Sequence, residues 1–265
     1  REKGRNKRDE NGKFIRDEFG YPIKKPGIFK ECKAVGWYLE EYNQAQISIN
    51  LTNISITSPH EVFEECRYQA RKRGVRVTGS EIVGMIPLNT MLETGKYFLN
   101  NQKKSTGIPD KDIIDIAIKS LGLNNLSPFK PMEKIIEYAI KPLYGNLASQ
   151  NIHSFCDILS SSSPAPGGGS VSALAGSLGS SLSAMVANLT FGKKKWNNLY
   201  DRMCDLSQKS QILKNKLLIL IDEDTNAFNQ LITSYRLPKS NKDEISHRNK
   251  KIKESMKIAT NVPFK

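Results

Sequence analysis

The sequence predicts two folded parts, an α+β sandwich of ferredoxin-like type followed by an all-α helical domain. Two observations carry the first part: short runs of alternating apolar and polar residues between positions 28 and 86, and helix signals interleaved with them. One carries the second: beyond position 151 the apolar period is helical throughout, starting from a long uncharged stretch behind three consecutive glycines. A chain of 265 residues has room for two such modest domains.

Residues 1–27 are dense in Lys, Arg, Asp, Glu and Gly and read as an exposed loop with little structure of its own. Glu2, Asp9, Glu10, Asp17 and Glu18 dilute its positive field, and Phe14, Phe19 and Tyr21 are sparse, which weighs against a nucleic-acid arm. From Ile28 the pattern becomes strand-like, with Lys33 to Leu39 as one run. Ala45, Ile47, Ile49 and Leu51 alternate with Gln46, Ser48, Asn50 and Thr52 as the next, and 40–44 is their turn. One face of that second strand is apolar; the other carries short polar groups that either line a cleft or meet solvent.

Ser58-Pro59-His60-Glu61 is a helix start, with Ser58 as cap, Pro59 in the first helical position and Glu61 where a capping-box acid belongs. Gly74 is the stop. Strands are expected over 75–78 and 82–86, then helices over 89–99, from Pro109 to Gly122, and from Pro131 towards Ile140. His60, at a helix N-terminus where its charged form is disfavoured, reads as structural or solvent-exposed rather than as a catalytic base. Residues 142–150 are the expected linker.

The second domain is organised around SSSSPAPGGGSVSALAGSLGSSLSAMVANLTF, Ser160 to Phe191. Pro164 and Pro166 stiffen the approach; Gly167, Gly168 and Gly169 can take positive φ and let a ligand or another backbone come close. Ser170 is the expected N-cap, so free N–H groups and the positive end of a helix dipole would converge on the glycines and suit an anionic or carbonyl-rich ligand. A hinge with no ligand explains the same residues. Ser172, Gly176, Gly179, Ser180 and Ser183 recur at helical spacing and favour close helix packing, in a bundle or at a dimer seam. The stretch is long enough to raise the question of a membrane span, but its serines and its Pro-Gly turn read as a soluble, buried helix. Lys193, Lys194 and Lys195 beside Trp196 close it with positive charge, which serves either as a helix-end cap or as an anion contact.

Ile212 to Tyr235 carries the other chemical clue. At about 100° per residue Leu213, Leu217, Ile221, Phe228, Leu231 and Tyr235 share one face, and Asp224 falls on it, whereas Asp222 lies nearly opposite and Glu223 to the side. A carboxylate entering an apolar face needs hydrogen bonds, a partner or a proton. It is either a polar tie to a neighbouring Ser or Thr or a general acid/base with a raised pKa.

Composition limits the choices. The net charge of +13 favours an anionic partner, yet the basic residues are spread through both parts rather than gathered with aromatics, which disfavours nucleic acid. Cys32, Cys66, Cys156 and Cys204 form no CxxC pair and only three histidines are present, so neither a zinc site nor a disulfide framework is indicated and a reducing cytoplasm is expected. The N-terminal residues have no apolar core of the signal-peptide kind.

The runs SPAPGGGSVSALAG and MVANLTFGKKKW closely resemble the start of the cyclodeaminase half of formiminotransferase-cyclodeaminase, a bifunctional folate enzyme of histidine breakdown. Upstream, GWYLEEYNQAQISINLTNISIT and VTGSEIVGMIPLNTMLETGKYF resemble the C-terminal subdomain of its formiminotransferase half. The resemblance implies a partial transferase subdomain at 28–141 and the first half of a helical cyclodeaminase domain at 151–265. It implies conversion of 5-formiminotetrahydrofolate to 5,10-methenyltetrahydrofolate and ammonia without a metal, and a catalytic aspartate in IDEDTNAF, most naturally Asp224 and otherwise Asp222. Polyglutamylated tetrahydrofolate would be held by Pro166, Gly167, Gly168, Gly169 and Ser170, with Lys193, Lys194 and Lys195 drawing its glutamate tail. Glutamate formimidoyltransferase activity would belong to the full-length parent. A methenyltetrahydrofolate cyclohydrolase and a non-catalytic homo-oligomerisation module remain alternatives, the latter through the small-residue helix.

Overall fold

In the computed structural model the described residues are 4–140 and 145–265, so residues 142–144 of the expected linker lie outside them, as do the first three of the N-terminal loop. The chain forms two compact units, residues 1–98 with 114–136 and residues 99–113 with 137–265. The first is mixed α+β and the second helical.

The first unit opens on a repeat. Arg8–Ile15 and Arg16–Ile23 share the pattern R-D-E-x-G, and each folds into a small hairpin. Asp9 Oδ1 accepts the N–H groups of Asn11 and Lys13 (3.0 and 2.8 Å), and Asp17 Oδ1 accepts those of Phe19 and Tyr21 at the same distances. Gly12 and Gly20 turn the chain at φ +80° and +81°, a conformation only glycine adopts freely. Strands β1 (Arg5–Asn6) and β2 (Lys24–Lys25) close the repeat antiparallel. The segment is exposed as expected but ordered by its own aspartates, where a loop with little structure was expected.

Strands β3 (Cys32–Leu39) and β4 (Gln44–Leu51) form an antiparallel hairpin where two strands and a turn were expected, with Cys32 opposite Leu51 and Leu39 opposite Gln44. A 3-10 turn over Glu40–Tyr42 and Asn43 at φ +51° joins them. Cys32 at its base is buried, whereas Trp37, Tyr38 and Ile47 towards its tip are exposed. Helix α1 (Pro59–Arg71) starts with the expected capping box, the Ser58 N–H donating to Glu61 Oε2 at 2.8 Å.

The strands expected at 75–78 and 82–86 do not form. The chain there is irregular, with a bend at Val83 and Gly84, and its partners are not strands: Asn125 donates to the Thr78 carbonyl, and Ser80 between the two segments donates through Oγ to the Leu121 carbonyl at 2.7 Å. Ile86 alone makes a parallel bridge, to Ile135. That bridge also divides the helix expected from Pro131 into α4 (Pro131–Lys134) and α5 (Ile136–Ile140), since Ile135 is extended and fully buried. Helices α2 (Leu88–Asn101) and α3 (Asp110–Leu121) lie where expected, and Gly122 ends α3 at φ +64°.

His60 is structural, as its position suggested. Its ring stacks on Tyr97 with centroids 4.4 Å apart, Nε2 lies 3.1 Å from Ser58 Oγ and Nδ1 3.3 Å from Thr94 Oγ1. Burial lowers its pKa from the ordinary 6.5, against the opposing pull of Glu61, Glu93 and Glu64. Between the lowered folded value and 6.5 the unfolded chain binds more protons, so the folded state weakens as pH falls. Chemical denaturation across this range should show stability falling below about pH 6.5, with a flatter profile in His60→Phe.

The second unit is built on α6 (Ile152–Leu159), α7 (Gly168–Thr190), α8 (Tyr200–Tyr235) and α9 (Lys242–Asn261). Leu147, Phe155, Ala173, Leu220, Ile221, Ala227 and Val262 form its core. Helices α7 and α8 run antiparallel: Ser170 meets Asp224, Gly176 faces Leu217, and Ser177 meets the Lys214 carbonyl. A Cβ on Gly176 would stand 3.1 Å from Leu217 Cδ1, so small side chains set the helix separation. The buried stripe is Ser170, Ala173, Ser177, Ser180, Ala184 and Ala187; of the small residues singled out in the sequence, Ser180 is buried and Gly176 faces Leu217, while Ser172, Gly179 and Ser183 are exposed.

Helix α7 is therefore not buried all round. Its outer face exposes Leu178, Leu182, Met185, Val186 and Leu189, and by length and composition alone the helix could cross a membrane.

A strap from the first half of the sequence belongs to this unit. Gly107 accepts from Asn188 Nδ2 at 2.9 Å and Gln211 Nε2 at 3.3 Å, while Gln208 reaches Thr106 and Asn215 reaches Asp110. A Cβ on Gly107 would lie 1.9 Å from Ser207 Oγ, and Ser207 is fully buried. Gly107→Ala should accordingly lower stability by about 1–3 kcal/mol in urea unfolding.

Candidate functional site

The two stretches singled out in the sequence meet. The loop through the cis Ala165–Pro166 bond enters α7 at Gly167, whose φ of −129° and ψ of −157° make it the N-cap. None of the three glycines has positive φ, and the expected cap, Ser170, is instead the third helical residue. Ser170 is completely buried, and its N–H donates to Asp224 Oδ2 at 2.9 Å. Thus Asp224, presented from α8, supplies the side-chain acceptor at the α7 N-terminus. A carboxylate there satisfies an unpaired N–H and sits favourably at the positive end of the dipole, an effect of about 0.3–1 kcal/mol.

Each glycine has a separate reason. A Cβ on Gly169 would lie 2.2 Å from Asp224 Oδ1, so Gly169 lets the carboxylate approach the backbone. At Gly167 and Gly168 a Cβ would meet nothing within 4 Å, and Gly168 is exposed. These two form the open side of the junction. Pro166 is buried and contributes shape to the loop rather than a free surface.

Asp224 is half-buried and hydrogen-bonded to Ser170 of the neighbouring helix, the polar tie that was one of the two readings its position allowed. That face is itself less apolar than expected: Ile221 is buried, but Leu213 and Tyr235 are exposed, while Ser207, Ser210 and Ser234 are buried on the same helix. Close packing against a helix of small residues explains why serines fill the seam.

Asp222 is not solvated as its place on the helix implied. Its Oδ1 accepts the Leu147 N–H and its Oδ2 the Ala148 N–H, both at 2.9 Å, and a Cβ on Gly145 would lie 2.2 Å from its carboxyl carbon. It clamps the turn leading to α6. Glu223 pairs with Lys265 at 2.8 Å. Of the three acids, Asp224 alone stands at the open glycines.

Lys193, Lys194 and Lys195 are exposed just past the other end of α7, beyond Gly192, with the Lys195 ammonium 5.1 Å from the centre of the Trp196 ring. A helix of 23 residues spans about 34 Å, so within one chain these lysines and the glycines do not form one pocket. One residue at the junction escaped the sequence reading. Thr225 Oγ1 lies 3.0 Å from Ser170 Oγ. Its only signal was adjacency to Asp224.

The junction places a half-buried carboxylate, held by Oδ2, beside an accessible stretch of backbone at a helix N-terminus. Such a group can take a proton from a bound molecule and return it. Residues 1–141 match the family described as "Formiminotransferase domain", and residues 151–265 match the one described as "Formiminotransferase-cyclodeaminase". The chain belongs to the formiminotransferase-cyclodeaminase family. It is 39% identical over 251 residues to the formimidoyltransferase-cyclodeaminase of Dictyostelium discoideum, covering 93% of this chain and 45% of that protein. The mouse formimidoyltransferase-cyclodeaminase is 35% identical over 243 residues, 91% of this chain and 44% of that protein. The chain spans less than half the length of these family members. The methenyltetrahydrofolate cyclohydrolase of Methylorubrum extorquens is 40% identical over 116 residues, 44% of this chain and 56% of that protein. Among solved structures, a formiminotetrahydrofolate cyclodeaminase from Thermotoga maritima is 28% identical with a TM-score of 0.38, covering 44% of this chain and 54% of that one.

Proposed function

We propose that the junction of Gly167, Gly168 and Asp224 is a folate reaction centre that converts 5-formiminotetrahydrofolate to 5,10-methenyltetrahydrofolate and ammonia. The observation that carries this reading is the convergence of an open glycine surface and the Asp224 carboxylate at one helix N-terminus. Membership of the formiminotransferase-cyclodeaminase family supports the substrate class.

N10 of the folate attacks the formimino carbon, and its proton passes to the Asp224 carboxylate. Asp224 then returns that proton to the amino nitrogen, the carbon–nitrogen bond breaks and ammonia leaves. No metal takes part. The pterin or benzoyl-glutamate end rests on Gly167 and Gly168, with Pro166 shaping the loop. Gly169 and Ser170 act through Asp224 rather than on the ligand. Lys193, Lys194 and Lys195 meet only the far end of an extended polyglutamate tail. Glutamate formimidoyltransferase activity belongs to a longer protein in which the α+β unit is part of a ferredoxin-like sandwich over 28–141, joined through 142–150 to the helical domain at 151–265.

The buried small residues of α7 pack against α8, so a homo-oligomer contact through α7 would use its outer face, where Leu178, Leu182, Met185, Val186 and Leu189 stand beside the exposed Gly179 and Ser183. Subunit mass measured across a concentration series tests that contact. Four free cysteines support a cytoplasmic location.

The test is to supply 5-formiminotetrahydrofolate and follow ammonia and the methenyl product together. Equal amounts of both support the reading; neither product contradicts it. A second reading, cyclohydrolase, is favoured by the 40% identity to the Methylorubrum enzyme. Turnover of methenyltetrahydrofolate with no ammonia from the formimino substrate would establish it instead.

A further inference from the structure

The hydroxyl of Ser170 has more neighbours than protons. It lies 2.9 Å from the Ile221 carbonyl, 3.1 Å from Asp224 Oδ2 and 3.0 Å from Thr225 Oγ1. The Ile221 carbonyl, inside α8, and the carboxylate, which already takes the Ser170 N–H, each have a lone pair free to accept a further bond, and Ser170 has one O–H to give. While Asp224 is ionised, only the Thr225 hydroxyl can bring a proton to the Ser170 oxygen in this group. The Thr225 O–H then donates to Ser170 Oγ, and the Ser170 O–H is left to choose between two acceptors.

We propose that Ser170 and Thr225 are positioning residues for Asp224, with the Ser170 hydroxyl as a two-position switch that follows the carboxylate's proton. This rests on the assignment of Asp224 as the proton carrier. When Asp224 is ionised, the Ser170 O–H turns to Oδ2 and joins the Ser170 N–H there, so two donors hold one oxygen and Oδ1 stays towards Gly169. When Asp224 carries the proton taken from N10, Oδ2 needs one donor fewer and the Ser170 O–H turns to the Ile221 carbonyl, 2.9 Å away. Thr225 keeps the Ser170 oxygen in place through both states. No bond to carbon forms or breaks in the switch, and each hydroxyl keeps its own proton.

The surroundings favour a switch over a loose cluster. Ser170 is completely buried, so water does not compete for its hydroxyl. Ile221 is buried as well and belongs to the core of the unit, which fixes the carbonyl that receives the hydroxyl in its second position. Gly169 brings the backbone close enough for the Ser170 N–H to remain on Oδ2 throughout.

The experiment compares the 265-residue chain with Thr225→Val, which keeps the shape and removes the hydroxyl, Thr225→Ser, which restores it, and Asp224→Asn. The first readout is hydrogen exchange of the Ser170 amide, which needs no turnover. Loss of the Thr225 donor should speed that exchange by about threefold to tenfold, and Thr225→Ser should return it to the original rate. The second readout is ammonia release: Thr225→Val should lower kcat by about tenfold with KM changed less than twofold, and Thr225→Ser should recover most of it. Unchanged Ser170 exchange in Thr225→Val overturns the proposal whatever the turnover. Altered exchange with full activity in Asp224→Asn leaves the hydrogen-bond chain standing and removes the reaction assigned to it, so the two failures are told apart.

Discussion

Asp224→Asn is expected to lower ammonia release from 5-formiminotetrahydrofolate by roughly 10²- to 10⁴-fold, the usual range for a positioned acid/base. The amide keeps an oxygen that can accept the Ser170 N–H, now 2.9 Å from Oδ2, so the α7 N-terminus stays capped. What it loses is the ability to carry a proton. The thermal midpoint should therefore move by only a few degrees, and folate affinity should stay within about tenfold of the original. A large fall in stability with little change in turnover per folded molecule would assign Asp224 to the fold instead.

Asp222 should behave in the opposite way. Its carboxylate accepts both the Leu147 and Ala148 N–H groups, and Leu147 is part of the core of the helical unit. Asp222→Ala leaves two N–H donors without acceptors on a half-buried turn and is expected to cost about 3 kcal/mol. Urea unfolding followed by circular dichroism measures the loss, and turnover per folded molecule should be retained. Two aspartates two residues apart thus separate into a chemical and a structural role.

That separation shows where the sequence is legible. The helical period over Ile212 to Tyr235 puts Asp224 and Ile221 on one side of α8, and they do face α7. It also puts Asp222 away from that face, which holds, yet leaves out the turn at 145–148 that folds back onto the other side of the helix. Periodicity reports which side a residue occupies but not what arrives there. The capping box at Ser58 and Glu61 was fully readable, because every participating atom lies within one turn of chain. The glycines were readable as a close-approach site, but the group that approaches, Asp224, stands 55 residues after Gly169 in the sequence.

Strand signals at 75–78 and 82–86 misled for a related reason. Val75, Val77, Ile82 and Val83 have high strand propensity, but a strand needs a partner edge, and here the Asn125 side chain donates to the Thr78 carbonyl and the Ser80 hydroxyl to the Leu121 carbonyl instead. Ile135, read as part of one helix, is drawn into extended chain by its bridge to Ile86. The N-terminal repeat gives no apolar periodicity, since its regularity lies in Asp and Gly rather than in apolar residues.

Whether a folate sits on the open glycines beside Asp224 is decided by calorimetric titration of tetrahydrofolate into the unsubstituted chain and into Gly168→Val. A Cβ added at Gly168 would stand in open space, with nothing within 4 Å, so the substitution should leave the fold intact and fill the space assigned to the ligand. Saturable binding to the unsubstituted chain is expected, with its loss in the variant at an unchanged thermal midpoint. Equal affinity in both would place the folate elsewhere.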